Sequence, residues 1–310
     1  MLKTPLFALF ITLFTLIVAQ NAHSENTPQI VTSITPLSLI TAEILGAEEN
    51  ITTLVPPGSN AHHFQLKPSH VKALRQADLI VWIGPSLEGF MSKPLKAPAV
   101  KTNNIITIET LPELQLLPYR SSFSHQHHHH GHTHDAGIDG HLWLSPDNAI
   151  HIAKAIKEQL AHINPKHRAT YQNNLENFIK KIQITDNKIT TRLHNYKDTP
   201  YLVYHNAFQY FERHYQLNSQ GSFIGDNNTP LSVKRLKHLQ QTIHSAQVQC
   251  IFADNQYNQS IPQKVANKTG VHLQTLDPVG SGITLENGGY TRLLETIAEN
   301  MLSCFKKPSI

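Results

Sequence analysis

Residues 164–196 read NPKHRATYQNNLENFIKKIQITDNKITTRLHNY, and their periodicity decides the fold. Leu175, Phe178, Ile182, Ile189 and Leu193 recur at intervals of three, four and seven, which places them on one face of an α-helix. Asn164 followed by Pro165 is a helix start signal, because proline gives up no hydrogen bond at the first helical position. At 1.5 Å per residue, roughly 30 residues make a rod of about 45 Å, enough to run the length of a two-lobed protein. A glycine linker would imply free hinging; a helix implies a rigid connector.

On both sides of the rod, short apolar runs alternate with amphipathic ones. Upstream, QIVTSI (29–34), NITTLVPPG (50–58) and LIVWIGP (79–85) read as strands. Between them PLSLITAEILG (36–46) reads as a helix stopped by Gly46, and PSHVKALRQAD (68–78) as a helix capped by Ser69. A further helix covers 146–162. Downstream, YLVYH (201–205), QCIFAD (249–254) and HLQTLDPV (272–279) are strands among helices at NAFQYFERHY, LSVKRLKHLQQTIHSAQ, SIPQKVANKTG and YTRLLETIAENMLSCF. The halves share this alternation but no close sequence repeat. Such alternation builds parallel sheets covered on both faces. The expected fold is therefore α/β, with two lobes, each a mostly parallel sheet flanked by helices, bridged by one long rigid helix. The expected boundaries are a first lobe at 25–163, the connecting helix at 164–197 and a second lobe at 198–310.

The N-terminus places Lys3 ahead of an apolar run of 14 residues, Leu6 to Ala19, then a small-residue stretch through Ala22 and Ser24. This is the layout of a secretory signal peptide, and the run is short of the ~20 residues a spanning helix needs. Residues 1–24 are expected to be removed, with cleavage after Ala22 as the alternative site and a retained anchor as the alternative reading. An exported chain meets an oxidising compartment, so Cys250 and Cys304 are expected to form a disulfide. The competing reading, a thiolate metal site, lacks histidine or cysteine partners at short spacing. Lysine and arginine number 26 against 22 acidic residues, a formal +4, and no basic block interleaves with aromatics. No nucleic-acid partner follows from that; the charge reads as solubility.

The 21 histidines are the unusual feature of the composition. Seven lie in ten residues, His125, His127, His128, His129, His130, His132 and His134, inside an aperiodic insertion at about 116–140. From composition this is a weak zinc-collecting tract, with a solvated linker as the alternative. The isolated residues are more telling. His62 follows the strand ending at Val55, His205 ends YLVYH, Asp277 ends HLQTLD, and His141 precedes LWLSP. In open α/β sheets ligands bind beyond the carboxyl ends of the strands, so these four point to one cleft. Three neutral imidazoles and a carboxylate suit zinc, whereas manganese prefers more carboxylate. The remaining histidines, His70, His151, His214 and His272 among them, lack partners at ligand spacing and read as surface or structural.

The segments PPGSNAHHFQLKPSHVKALRQADLIVWIGP, HLWLSP, YLVYHNAFQYFERHY, QCIFADNQY and LDPVGSGI resemble, in order, the periplasmic zinc-binding proteins of bacterial high-affinity zinc-uptake ABC transporters, the ZnuA type. The resemblance implies two α/β lobes bridged by a long helix, with Zn2+ carried between them. It implies His62, His141 and His205 as ligands, with Asp277 as the fourth or beside the metal, and a Cys250–Cys304 disulfide. One departure is Ala61, where some members carry an acid before the first ligand, and the adjacent His63 leaves a choice beside His62. The implied partners are an inner-membrane ABC permease with its cytoplasmic ATPase, and an auxiliary periplasmic zinc donor; a monomer is expected. Manganese or iron uptake is the nearer alternative. A zinc hydrolase is the alternative from another class, and the sequence lacks a His-Glu-x-x-His motif.

Overall fold

A computed structural model describes residues 27–120, 137–224 and 231–307. The expected signal peptide and the tract from His125 to His134 lie outside the described residues. The first lobe comprises β1 (Ile30–Thr32), α1 (Thr35–Leu45), β2 (Ile51–Thr53), α2 (Pro68–Gln76), β3 (Leu79–Trp82), α3 (Pro85–Glu88), β4 (Ile105–Thr107) and α4 (Pro146–Ile163). Then come α5 (Arg168–Leu193) and the second lobe, made of β5 (Tyr201–His205), α6 (Gln209–His214), β6 (Ser219–Ile224), α7 (Val233–Ser245), β7 (Cys250–Asp254), α8 (Ser260–Thr269), β8 (His272–Leu276) and α9 (Gly289–Phe305). Both sheets are four-stranded and parallel throughout, ordered β2-β1-β3-β4 and β6-β5-β7-β8. The two orders are the same topology, so the repeated alternation in the sequence is a repeat of fold.

The connector is a 26-residue α-helix, about 39 Å long at the standard rise, preceded by a 3-10 turn over Pro165–His167. Tyr171, Leu175, Phe178, Ile182, Thr185, Ile189 and Leu193 are its buried residues. The apolar ones among them pack into one core cluster that includes the inner faces of both sheets with α1, α4 and α9. Each large apolar side chain buried there contributes roughly 1.5–3 kcal/mol. The helix is therefore cemented along both lobes rather than spanning open space. Its polar flank adds ties: Lys181 Nζ to Glu43 (2.8 Å) on α1, and Lys188 to Glu295 (2.9 Å) on α9. The outer faces of the sheets have their own cores, under α2 in the first lobe and under α7 and α8 in the second.

Some local details differ from the sequence reading. The helix at 68 starts one residue earlier than its expected cap, because Pro68 takes the first helical position and makes Lys67 the cap residue. There the Lys67 N–H donates to His70 Nδ1 (3.1 Å), a role for that histidine. The edge strands β4 and β6 were not assigned from the sequence; β4 is a three-residue strand, and β6 contains Gly221 at φ 123°, its register against β5 shifting between Tyr201 and Val203. Gly46 ends α1 in the left-handed region at φ 76°, as the sequence reading requires.

Candidate metal centre

Three histidines reach one point from three separate stretches of chain. His62 lies in a 3-10 turn, Ala61–His63, held because the His62 N–H donates to Asn60 Oδ1 (2.8 Å). His141 follows Gly140, where a Cβ would sit 2.8 Å from that of Leu87, so only glycine lets this segment close on α3. His205 is the last residue of β5, at the carboxyl edge between the adjacent strands β5 and β7, where the chain order reverses from β6 on one side to β7 on the other. Their ring centroids are 5.3 Å (His62–His141), 5.4 Å (His62–His205) and 5.0 Å (His141–His205) apart. One ligating atom from each lies within 4.8 Å of the others. Zinc–nitrogen bonds of 2.0–2.1 Å in a tetrahedron set ligand separations of about 3.4 Å, so ligation would draw the set inward by about 1.4 Å at most.

The second nitrogens explain how the rings are aimed. His205 Nδ1 is 3.0 Å from Asp254 Oδ2, and His141 Nδ1 is 2.7 Å from Asp139 Oδ1. A carboxylate accepting from Nδ1–H fixes the tautomer that leaves Nε2 as a lone-pair donor to metal. All four groups are buried. His62 Nε2 and His205 Nε2 are buried without a hydrogen-bond partner, an arrangement native proteins avoid unless something else is bound there. Burial, reinforced by the neighbouring imidazoles, pushes the His62 pKa well below its ordinary value. Burial also lowers His205, against the opposing pull of Asp254. Each shift favours the neutral, ligating form.

Asp277 stands at the same edge but is otherwise engaged. Its Oδ1 accepts from the N–H groups of Val279 and Gly280 (both 3.0 Å), and its Oδ2 from that of Ser281 (2.6 Å). It closes its own turn and is outside the three-histidine group. His63, the neighbour of His62, is exposed. Asp139 and Asp254 were not singled out in the sequence; their signals were an acid two residues before His141 and an acid ending a strand beside that of His205. Asp254→Asn keeps the shape and the Oδ1 that accepts from the Gln256 N–H (2.8 Å), but loses the carboxylate charge. It should weaken zinc binding about 10- to 100-fold in a chelator competition, and an unchanged affinity would detach Asp254 from the site.

A profile of the family described as ZnuA, the periplasmic component A of a zinc-uptake complex, matches residues 30–304. The high-affinity zinc uptake system protein ZnuA of Yersinia pestis is 32% identical over 291 residues, 89% of this chain and 91% of its own. This chain belongs to the ZnuA family. Its counterpart in Haemophilus ducreyi is 31% identical, covering 89% of this chain and 92% of that protein. A crystal structure of ZnuA superposes at TM-score 0.74 with 23% identity, over 89% of this chain and 98% of the other. The laminin-binding protein Lmb of Streptococcus agalactiae, described as an adhesin with metal-transporting activity, has the same TM-score and identity over 90% and 100%. At such identity these structures show the fold. Two parallel sheets joined by a long helix are thus the ZnuA-family architecture, and the three histidines meet where the two halves of the chain come together. Members of the family are periplasmic solute-binding proteins of zinc-uptake ABC transporters. Among the described residues no helix is long and apolar enough to cross a membrane.

Proposed function

We propose that this protein captures Zn2+ with His62, His141 and His205 and delivers it to an inner-membrane ABC permease driven by a cytoplasmic ATPase. The observation that carries the reading is the convergence of three imidazoles from both lobes, two of them with buried, unpartnered Nε2 atoms. The donor set is nitrogen-rich, which favours zinc over manganese or iron. Asp277 or a water takes the fourth position; Asp277 would have to leave its turn to do so. The carboxylates nearest the histidines are engaged as imidazole partners, which leaves them poorly placed to act as the free general base of a hydrolase. The chain divides into lobes at 25–163 and 198–310 around the connector 164–197, acts as a monomer, and reaches the periplasm by removal of residues 1–24. The histidine tract His125–His134 serves as an additional weak collector that an auxiliary periplasmic zinc donor could load.

Metal analysis and calorimetry on the mature chain test this. One tight zinc per protein should survive deletion of residues 124–136, with only weaker binding removed; loss of the tight site would overturn the ligand assignment. Protons compete for the same nitrogens, so affinity should fall as pH drops below about 6.5. Because burial lowers His62 and His205, their share of the fall sets in at lower pH than for free imidazole. An affinity still flat at about pH 4 would be incompatible with a histidine site.

A further inference from the structure

The helix that follows His205 grips the chain that leads to His141. Gln209 Nε2 donates to the Pro118 carbonyl (3.2 Å), and the Glu212 carboxylate pairs with the Arg120 guanidinium. Between them Tyr210 makes the central contact. Its hydroxyl accepts from the Leu117 N–H (2.9 Å) and donates to the Asp139 carbonyl (2.9 Å). Leu117 and Asp139 are joined to each other as well, because the Asp139 N–H donates to the Leu117 carbonyl (2.9 Å). Asp139 in turn holds His141 twice, at its backbone N–H (3.0 Å) and at Nδ1. Tyr210 is 1% exposed and Asp139 fully buried, so water cannot stand in for these bonds.

We propose that Tyr210 is a positioning residue for the captured zinc. It fixes Asp139, the orienting partner of His141, to the helix that begins four residues after His205, so ligands from opposite lobes belong to one hydrogen-bonded unit. This inference rests on the zinc-binding reading above. Other polar ties between the two halves bond neither a ligand histidine nor its carboxylate partner: Trp143 Nε1 donates to the Pro278 carbonyl (2.8 Å), and Lys181 and Glu43 join the connector to α1. Tyr210 is distinguished by touching the residue that sets the His141 tautomer.

The consequence is kinetic. Encounter of the ion with the crevice does not require the Tyr210 hydroxyl, whereas holding His141 on a bound ion does, so its loss should appear in release rather than capture. Mature protein loaded with one equivalent of zinc, mixed rapidly with excess chelator, measures release directly. Tyr210→Phe should release zinc about 10-fold faster with an association rate within about twofold of the parent. Glu43→Gln, which weakens the remote tie, should leave release within about twofold. In nitrogen NMR of the zinc-free protein, the His141 Nδ1 signal should move or broaden in Tyr210→Phe while that of His205 stays. Should the phenylalanine variant not fold, Glu212→Gln tests the same grip and should speed release about threefold. Unchanged release in Tyr210→Phe, or equal acceleration in Glu43→Gln, would overturn the proposal while leaving zinc capture standing. Failure of the parent protein to hold one tight zinc would sink both.

Discussion

Replacing His141 with alanine should weaken zinc binding by about 100- to 1000-fold while the protein stays folded. Structural zinc sites bind with about 10–16 kcal/mol at neutral pH, so one ligand in four is worth roughly 3–4 kcal/mol, or two to three decades. The scaffold should survive, because Asp139 keeps the His141 backbone N–H and its ladder to Leu117. What it loses is the imidazole partner of a buried carboxylate, a penalty of about 1–3 kcal/mol. Chelator competition reads the affinity and circular dichroism the fold. Deleting the seven histidines of the neighbouring tract should do far less, although it removes more imidazole. On the proposed site, affinity rests on rings held by Asp139, Asp254 and the Asn60 turn, and on lone pairs that burial favours as neutral. An affinity of the His141→Ala variant within about tenfold of the parent would show that the tight site is built from other residues.

That contrast also marks what could be read from the chain before its fold was known. Strands β1, β3, β5 and β7 are buried at every residue, and each was visible as an apolar run. Strands β4 and β6 were not: β4 is only three residues with one of them buried, and β6 is SQGSFI, polar at its start and interrupted by Gly221. The connector was legible for a different reason: its buried face touches both lobes, so the apolar period continues through all 26 residues. His62, His141 and His205 could be picked out because strand ends in parallel sheets converge on one edge. Asp139 and Asp254 could not, because their roles depend on which ring nitrogen faces them. Histidines that looked unpartnered along the sequence find carboxylates in space, as His151 does with Glu113 (2.8 Å) and His214 with Asp186 (2.7 Å). Spacing along a chain detects ligands supplied by one local segment; a site shared between lobes is detected only through topology.

The same division between scaffold and site governs the second large effect, expected on removing the disulfide. Cys250 opens β7, an interior strand of the second sheet, and Cys304 lies at the end of α9; both are buried, with Cα atoms 6.2 Å apart. The bond closes a separation of 54 residues, for which chain entropy gives about 4 kcal/mol, an upper figure because the reduced chain retains some structure. α9 also packs in the core shared with α1 and α5, so loosening its end should be felt in both lobes. The double variant Cys250→Ala, Cys304→Ala should therefore lose roughly 3–4 kcal/mol, a fall in Tm of about 10 °C by calorimetry of the zinc-free protein. Zinc affinity at 25 °C should change less than about tenfold, because Cys250 is at the opposite end of β7 from Asp254, and the bonds that aim His205 remain. Added zinc should raise the Tm of parent and variant alike, since stabilisation by a ligand follows its affinity for the folded state. A variant that kept its stability but lost zinc would place the cysteines in the metal site, whereas loss of stability with retained affinity assigns them to the scaffold that carries it.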